Sequence, residues 1–444
     1  MTTGSDADRP TSQAPTRTEV RGYLVLILIG AAIGVPAALL ASLFLALVHE
    51  LEELLWTDLP DWLGQAAPPW YLIVGLPVAG ATVVWVARRF LPGDGGHSPL
   101  EGIGGGGVTP LRHAPGIALA AIGTLAFGAV LGPEAPLIAL GSAVGALFAP
   151  FVRLDRKATT VLATAGSFSA ISALFGGPLV AGFMLLEVGV GAGPHLITAL
   201  MPGLVAAAVG YVLFVGLGDW SGLHEVSLAV PHLPEYEGTH LADLVLAIGV
   251  GVLTALVLRE VRQLGVAVDR FAGRVGLLPA LLAGGLAVGL IAQFADLLGA
   301  DYDQILFSGQ AAVPSAAAES SVGVLLVILV AKCLGYGICL GCGFRGGPVF
   351  PAIFIGIVIS TFAVIVFDTS PTWAIAVGAA AGMGAGTDLV FSALLFSMLL
   401  VGHAGLDALP AAVLAMAAAW LTKLALPPKE TASADTTSAE PQPG

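Results

Sequence analysis

Two short segments hold the residues with the most chemical potential in this chain. Residues 132–141 read GPEAPLIALG and residues 347–356 read GPVFPAIFIG, with Gly, Pro, Pro, Ile and Gly at the same five of ten positions. Proline is favoured in the first turn of a helix, where its missing N–H would have had no partner. Pro136 and Pro351 therefore mark helix beginnings, and Gly132 and Gly347 let other backbone come close just before them. A helix start leaves N–H groups unpaired and carries the positive end of the helix dipole. In hydrocarbon such groups must be satisfied, and an anion satisfies them well. Glu134 sits at a variable position of the first copy, opposite Val349 in the second. A carboxylate there caps its own helix, or acts as a tethered anion that leaves when protonated or displaced. The second behaviour is a gate.

The elements that must position these segments are membrane helices. Of the 444 residues, 57% are hydrophobic and only 11% charged, against about 45–50% and about 25% in soluble domains. Residues 22–49 form an apolar run with no carboxylate or basic group before Glu50, save the terminal His49. That is ample for a bilayer crossing of about 20 residues. Further apolar runs cover 71–87, 116–131, 137–152, 158–186, 196–217, 241–258, 276–295, 322–341, 349–367, 371–387, 389–402 and 408–426. Several are short, which suggests re-entrant or discontinuous helices. The paired motifs, with a weaker match between 178–188 and 388–398, divide the chain into halves at about 22–217 and 241–426. Transporters built from such repeats bind substrate where the halves meet, near the midplane. The spacing alone does not say whether the repeat is parallel or inverted.

Charge places the loops. Arg88 and Arg89, then Arg153, Arg156 and Lys157, then Arg259, Arg262, Arg270 and Arg274 are expected on the cytoplasmic side. Asp58, Asp61, Asp219, Glu225, Glu235 and Glu237 gather elsewhere. The net charge of −13 argues against nucleic acid as a partner. Residues 1–20 lack the apolar core of a signal peptide. They and residues 427–444 read as disordered tails on a single membrane domain over 21–426, both tails cytoplasmic and the whole multi-pass in the cell membrane. Cys333, Cys339 and Cys342 lack nearby His or carboxylate, so they read as small buried residues rather than a metal or redox site, and no cofactor is expected.

Several polar residues interrupt apolar text. Lys332 in VILVAKCLGYG should face protein or a cavity, with a structural role or a contribution to the potential along an anion path. Arg345, in GCGFRGG, lies near the proposed site in sequence and could attract anions. His195 and His403 read as helix-terminal interface residues, His97 and His113 as loop residues.

These motifs resemble those of the CLC family of chloride channels and transporters. GPEAP at 132–136 resembles its G-[KR]-E-G-P signature, GCGFRGGPVFP at 341–351 its G-S-G-x-x-G-G-x-F-x-P, and GDGGHSPLEG at 93–102 the region of its G-S-G-I-P. PLVAGFMLLEV at 178–188 and ADYDQIL at 300–306 are family-like as well, so the resemblance spans about 22–426. It implies an all-α polytopic membrane protein built as an inverted repeat of tilted and re-entrant helices. It also implies a homodimer in membrane lipid, one pore per subunit, Glu134 as gating glutamate and no enzymatic activity. Chloride or a similar small anion would be held by amides around Gly95, Gly96, Ser98, Ala135, Gly347, Val349 and Phe350. There are departures. Pro133 replaces a basic residue, Pro348 has no N–H to offer, and Gly95 falls at the pore-serine position with Ser98 the nearest hydroxyl. Glu187 matches one of two successive glutamates on the family's proton path, but Val188 replaces the other, and no tyrosine follows Tyr336. Glu187 is thus either a remnant of a proton path or a structural carboxylate, and proton coupling is expected to be weak.

Two other classes fit the pattern less well. A broken-helix cation-coupled transporter needs carboxylates and carbonyls at the midplane, and few are present. An intramembrane serine hydrolase would need Ser167 or Ser169 beside a His, and no spacing brings them together.

Overall fold

The apolar runs become helices that begin at serine or proline and stop at glycine or loop. In the computed structural model, residues 17–103, 107–148, 156–188, 195–219, 222 and 228–426 are described; of the tails expected at 1–20 and 427–444, residues 1–16 and 427–444 lie outside them, while 17–20 belong to the first helix. Helix α1 (Arg17–Glu53) passes through a π-helical turn, Leu54–Asp58, into the short α2 (Leu59–Trp62). There follow α3 (Trp70–Phe90), α4 (Ala114–Leu125), α5 (Glu134–Leu147), α6 (Arg156–Leu174), α7 (Pro178–Val188) and α8 (His195–Val215). The second half holds α9 (Leu241–Val275), α10 (Leu277–Leu297), the short α11 (Tyr302–Ile305) and α12 (Val313–Ala317), then α13 (Val322–Gly341), α14 (Val349–Phe367), α15 (Pro371–Gly386), α16 (Phe391–Val401) and α17 (Leu409–Ala425). Ser321 and Ser370 cap α13 and α15 by accepting N–H groups of Val324 and Thr372. Among the described residues, seven helical stretches are long and apolar enough to cross a membrane, and Glu134–Leu147, Ala158–Leu174, Pro178–Val188 and Leu200–Val215 are shorter apolar stretches.

The two halves pack alike. Helix α5 lies on α6 as α14 lies on α15, α6 on α8 as α15 on α17, and α1 on α8 as α9 on α17. The close contacts match too. Gly141 meets the carbonyl of Gly166 across the α5–α6 seam, and Gly356 that of Gly378 across α14–α15. Small residues that let backbones touch are the usual means of holding helices together in lipid. The halves are inverted. The C-terminal end of α1 lines the same cavity as residues 228–231, which lead into the N-terminal end of its counterpart α9. Helix α14 is buried nearly all round and forms the centre of the core, whereas α1, α9 and α10 expose Leu, Val and Phe outward.

A methyl group at Gly356 would collide with backbone of α15, while Gly249 on α9 has no heavy atom near its missing Cβ. Gly356→Ala should therefore lower stability in detergent by about 1–3 kcal/mol, the usual cost of overpacking. Gly249→Ala should not, and thermal unfolding of both variants checks the difference.

Candidate functional site

The two proline-marked helices start at one point. Gly132 donates its N–H to the Gly347 carbonyl at 2.8 Å, and Gly347 donates its N–H to the Gly132 carbonyl at 2.6 Å. This pair is an isolated antiparallel bridge between equivalent residues of the repeats. Two equivalent residues that exchange identical bonds lie on the two-fold axis relating their halves. Helices α5 and α14 then depart from the axis, each with its N-terminus at the bridge.

Glu134 reaches across that junction. Its Oε1 accepts the N–H of Phe350, in the first turn of α14, at 2.9 Å. The residue is fully buried, and Oε2 has no hydrogen-bond partner. The carboxylate of the first repeat thus occupies the helix N-terminus of the second, where a free anion would be stabilised. A Cβ on either Gly132 or Gly347 would strike this carboxylate, so glycine at both positions leaves room for it to lie over the bridge.

Cavities approach the junction from opposite sides. One of about 470 Å³ ends at Pro133 and Phe350 and is lined further out by His49, Glu52 and Asp303. The other, about 960 Å³, ends at Tyr336 and Pro348 and opens between the C-terminal half of α9 and the end of α17. On the smaller cavity's side, the rings of Phe175, Phe350 and Phe396 form a cluster. Phe175 stacks on Phe350 at 5.6 Å, and Phe396 sits edge-on to both at 5.2 and 5.8 Å.

The other expected site residues fall at varied distances from this centre. Ala135, Val349 and Phe350 are buried in the first turns of α5 and α14. The reading of Gly347 as an anion donor needs correction, since its N–H is spent on Gly132. Gly95 and Gly96 belong to a left-handed turn, Gly93 to Gly96, in which all four φ angles are positive. The atoms nearest the missing side chain of Gly95 belong to Ala120, Arg88 and Arg345, and those of Gly96 face Ile117. Ser98 precedes a 3-10 turn, Pro99–Glu101, that lines the larger cavity. Arg345 turns toward Asp94 in this loop, bonding its carboxylate and its carbonyl, while Arg88 holds the same carboxylate with two nitrogens at 2.9 Å. Burial pushes the Asp94 carboxyl up, but the hydrogen bonds and charges of Arg88 and Arg345 outweigh it and hold it below its usual range. Arg345 therefore clamps two loops together and lines neither cavity. Lys332, fully buried, donates to the carbonyls of Leu306 (2.8 Å) and Phe307 (3.1 Å) and lies 4.7 Å from the centre of the Phe354 ring. It pins the segment lining the smaller cavity.

Glu187 caps a helix. Its two oxygens accept the N–H groups of Val390 (2.8 Å), Phe391 (2.7 Å) and Ser392 (3.0 Å), together with the Ser392 hydroxyl. It ties α7 of one half to α16 of the other at the wall of the larger cavity. The hydroxyls of Ser167 and Ser169 donate to helix carbonyls, of Ile138 and Gly34 respectively, so neither is poised as a nucleophile.

Reasoning from the sequence passed over Tyr336. Its buried hydroxyl donates to the Pro348 carbonyl at 2.9 Å, and both residues line the larger cavity. A phenol inside apolar text was the available signal, since a buried Tyr hydroxyl needs a partner. Cys339 was read only as a small buried residue, yet its sulfur accepts the Val130 N–H at 3.2 Å, two residues before the bridge. Removing the α16 cap by Glu187→Ala should cost about 2 kcal/mol of stability. Glu187→Gln, which keeps an acceptor, should lose less; unfolding in detergent measures both.

Comparison with known proteins supports the family. Residues 79–423 match the family described as voltage gated chloride channel. The YfeO protein of Escherichia coli O1:K1, named provisionally for ion transport, is 31% identical over 353 residues, covering 76% of this chain and 78% of YfeO. YfeO of Escherichia coli O7:K1 is likewise 31% identical over 352 residues, with the same coverage. The fold is that of a slow cyanobacterial Cl−/H+ antiporter, with TM-score 0.73, 19% identity, and 91% of this chain and 95% of that one aligned. It is also that of a CLC-type fluoride/proton antiporter, with TM-score 0.68, 22% identity and coverage of 92% and 96%. The reciprocal bridge, the inverted packing and these matches agree: the chain belongs to the voltage-gated chloride channel (CLC) family.

Proposed function

We propose that this protein carries small inorganic anions, chloride first among them, across the cell membrane by one path per subunit, gated by Glu134. The observation that carries this reading is the Glu134 carboxylate on the Phe350 amide. It is a negative group bound at a helix start, with a cavity on either side. When the carboxylate leaves, an anion from either cavity can take up the first-turn amides of α14, helped by the dipole of a 19-residue helix. Val349 and Ala135 supply neighbouring first-turn N–H groups. Chloride is the first candidate because the family description and a structural neighbour name it, and fluoride enters by the same kind of likeness.

Weak proton coupling fits the second half of the same site. Glu187 is committed to α16, and Val188 beside it has no titratable group. Orientation follows from charge. The basic residues of α9 line the larger cavity and α17 ends there, while α1 ends at the smaller one, so both tails are assigned to the cytoplasm. Exposed apolar residues on α7, α8, α16 and α17, among them Leu179, Phe183, Met201, Phe391 and Leu421, offer a face for a second subunit in lipid. The cation-coupled alternative is not favoured. Among the described residues no group of three or more His, Cys, Asp or Glu is placed to hold a metal ion, and the junction presents amides.

Anion efflux from proteoliposomes tests the gate. Lower pH protonates the carboxylate and releases the amide, so flux should rise as pH falls, by no more than about tenfold per pH unit, the limit for one titrating group. Glu134→Ala should give flux that no longer changes with pH; full retention of the pH profile would remove Glu134 from the gate. A chloride gradient should drive little or no uphill proton movement, measured with a dye sensitive to internal pH, and a fixed proton-to-anion ratio would overturn the weak-coupling reading.

A further inference from the structure

The larger cavity holds more positive charge than a single monovalent ion calls for. Arg259, Arg262 and Arg270 all line it from α9. Steps of three and eight residues place them along one side of that helix. At 1.5 Å rise per residue the ladder runs about 16 Å. None of the three has a carboxylate within ion-pair distance among the described residues. The Arg259 Nε is buried without an acceptor. Arg262 gives one nitrogen to the Leu100 carbonyl at 3.1 Å, which fixes its fork in place. The acidic groups of the cavity offer little compensation. Glu187 is taken up by the amides of α16, and Asp388 pairs with Lys423 at 2.9 Å, leaving Glu101 against three guanidinium groups. A volume of about 960 Å³ leaves room for far more than one small ion.

We propose that this cavity binds a soluble polyvalent anion with two linked phosphoryl groups, gripped by Arg259, Arg262 and Arg270, and that the bound anion plugs the path to Glu134. Guanidinium forks match phosphate oxygens two at a time, and a row of them suits a chain of phosphates better than an isolated charge. Low-dielectric walls strengthen the attraction. Toward the bridge the cavity wall offers Tyr336 and Pro348, whose hydroxyl and carbonyl are bonded to each other and carry no positive charge, so the arginines hold such a molecule short of it. The plugging half of this inference rests on the transport reading above; the binding half does not.

Inorganic pyrophosphate is the probe. Titrated by calorimetry into the purified full-length protein in lipid-free detergent, it should bind once per chain, and more tightly than orthophosphate. Arg270→Gln and Arg259→Gln should each weaken binding about tenfold, and the lysine variants should recover only part of it. Arg270 is exposed and holds no structural bond, so its variant should keep the native elution profile and melting temperature. In proteoliposomes, pyrophosphate on the arginine side should slow chloride efflux of the unmodified protein, and slow Arg270→Gln less, each compared with its own rate without pyrophosphate. No binding at millimolar pyrophosphate in a protein that conducts chloride overturns the site. So does equal binding by the glutamine variants, or binding that requires added phosphatidic acid. Binding with no chloride flux at all upholds the site and overturns the transport reading.

Discussion

An amide out of reach of water with nothing to accept its hydrogen is costly, and this protein buries the beginnings of two helices in its interior. The solution is local. One pair of amides is satisfied by backbone, in the reciprocal exchange between Gly132 and Gly347. The next, at Phe350, is satisfied by the Glu134 side chain. Backbone acceptors cannot leave without moving the chain, whereas a side-chain carboxylate can leave by rotation. Under the proposed function, this division between a fixed pair and a replaceable partner makes a binding site out of a packing problem.

The same pair limits how the halves can move. It sits on the axis relating them, so rocking one half against the other would break two buried hydrogen bonds in every cycle, at about 1 kcal/mol or more each. Other ties cross between the halves as well: Glu187 to α16, Arg88 to the Gly343 carbonyl, and Arg345 to Asp94. A frame stitched in this way favours events on the scale of one side chain over rigid-body motion.

Much of this was legible in the sequence because proline and glycine carry backbone meaning. The five shared positions at 132–141 and 347–356 gave the helix starts, the repeat and the place of Glu134, and the apolar runs gave the class of fold. What stayed hidden depended on three-dimensional partners. No pattern shows that Gly347 spends its N–H on Gly132, since that needs the two-fold geometry. Arg345 looked like a pore charge because it is two residues from Gly347, but its side chain turns to Asp94, more than two hundred positions away. Tyr336 attracted attention only as the last tyrosine, and its hydroxyl became meaningful once Pro348 was seen beside it. Inversion of the repeat needed the directions of α1 and α9, which spacing does not record.

Two of the three clustered phenyl rings, Phe350 and Phe396, line the smaller cavity, and Phe175 backs them. Phe350 lends its amide to the carboxylate and its ring to this wall, so the approach to the junction from that side runs along carbon. On the proposed path, an ion making that approach would lose water before any N–H replaced it. Discrimination there would follow hydration strength rather than diameter, and ions that part easily with their water would cross at the lowest cost.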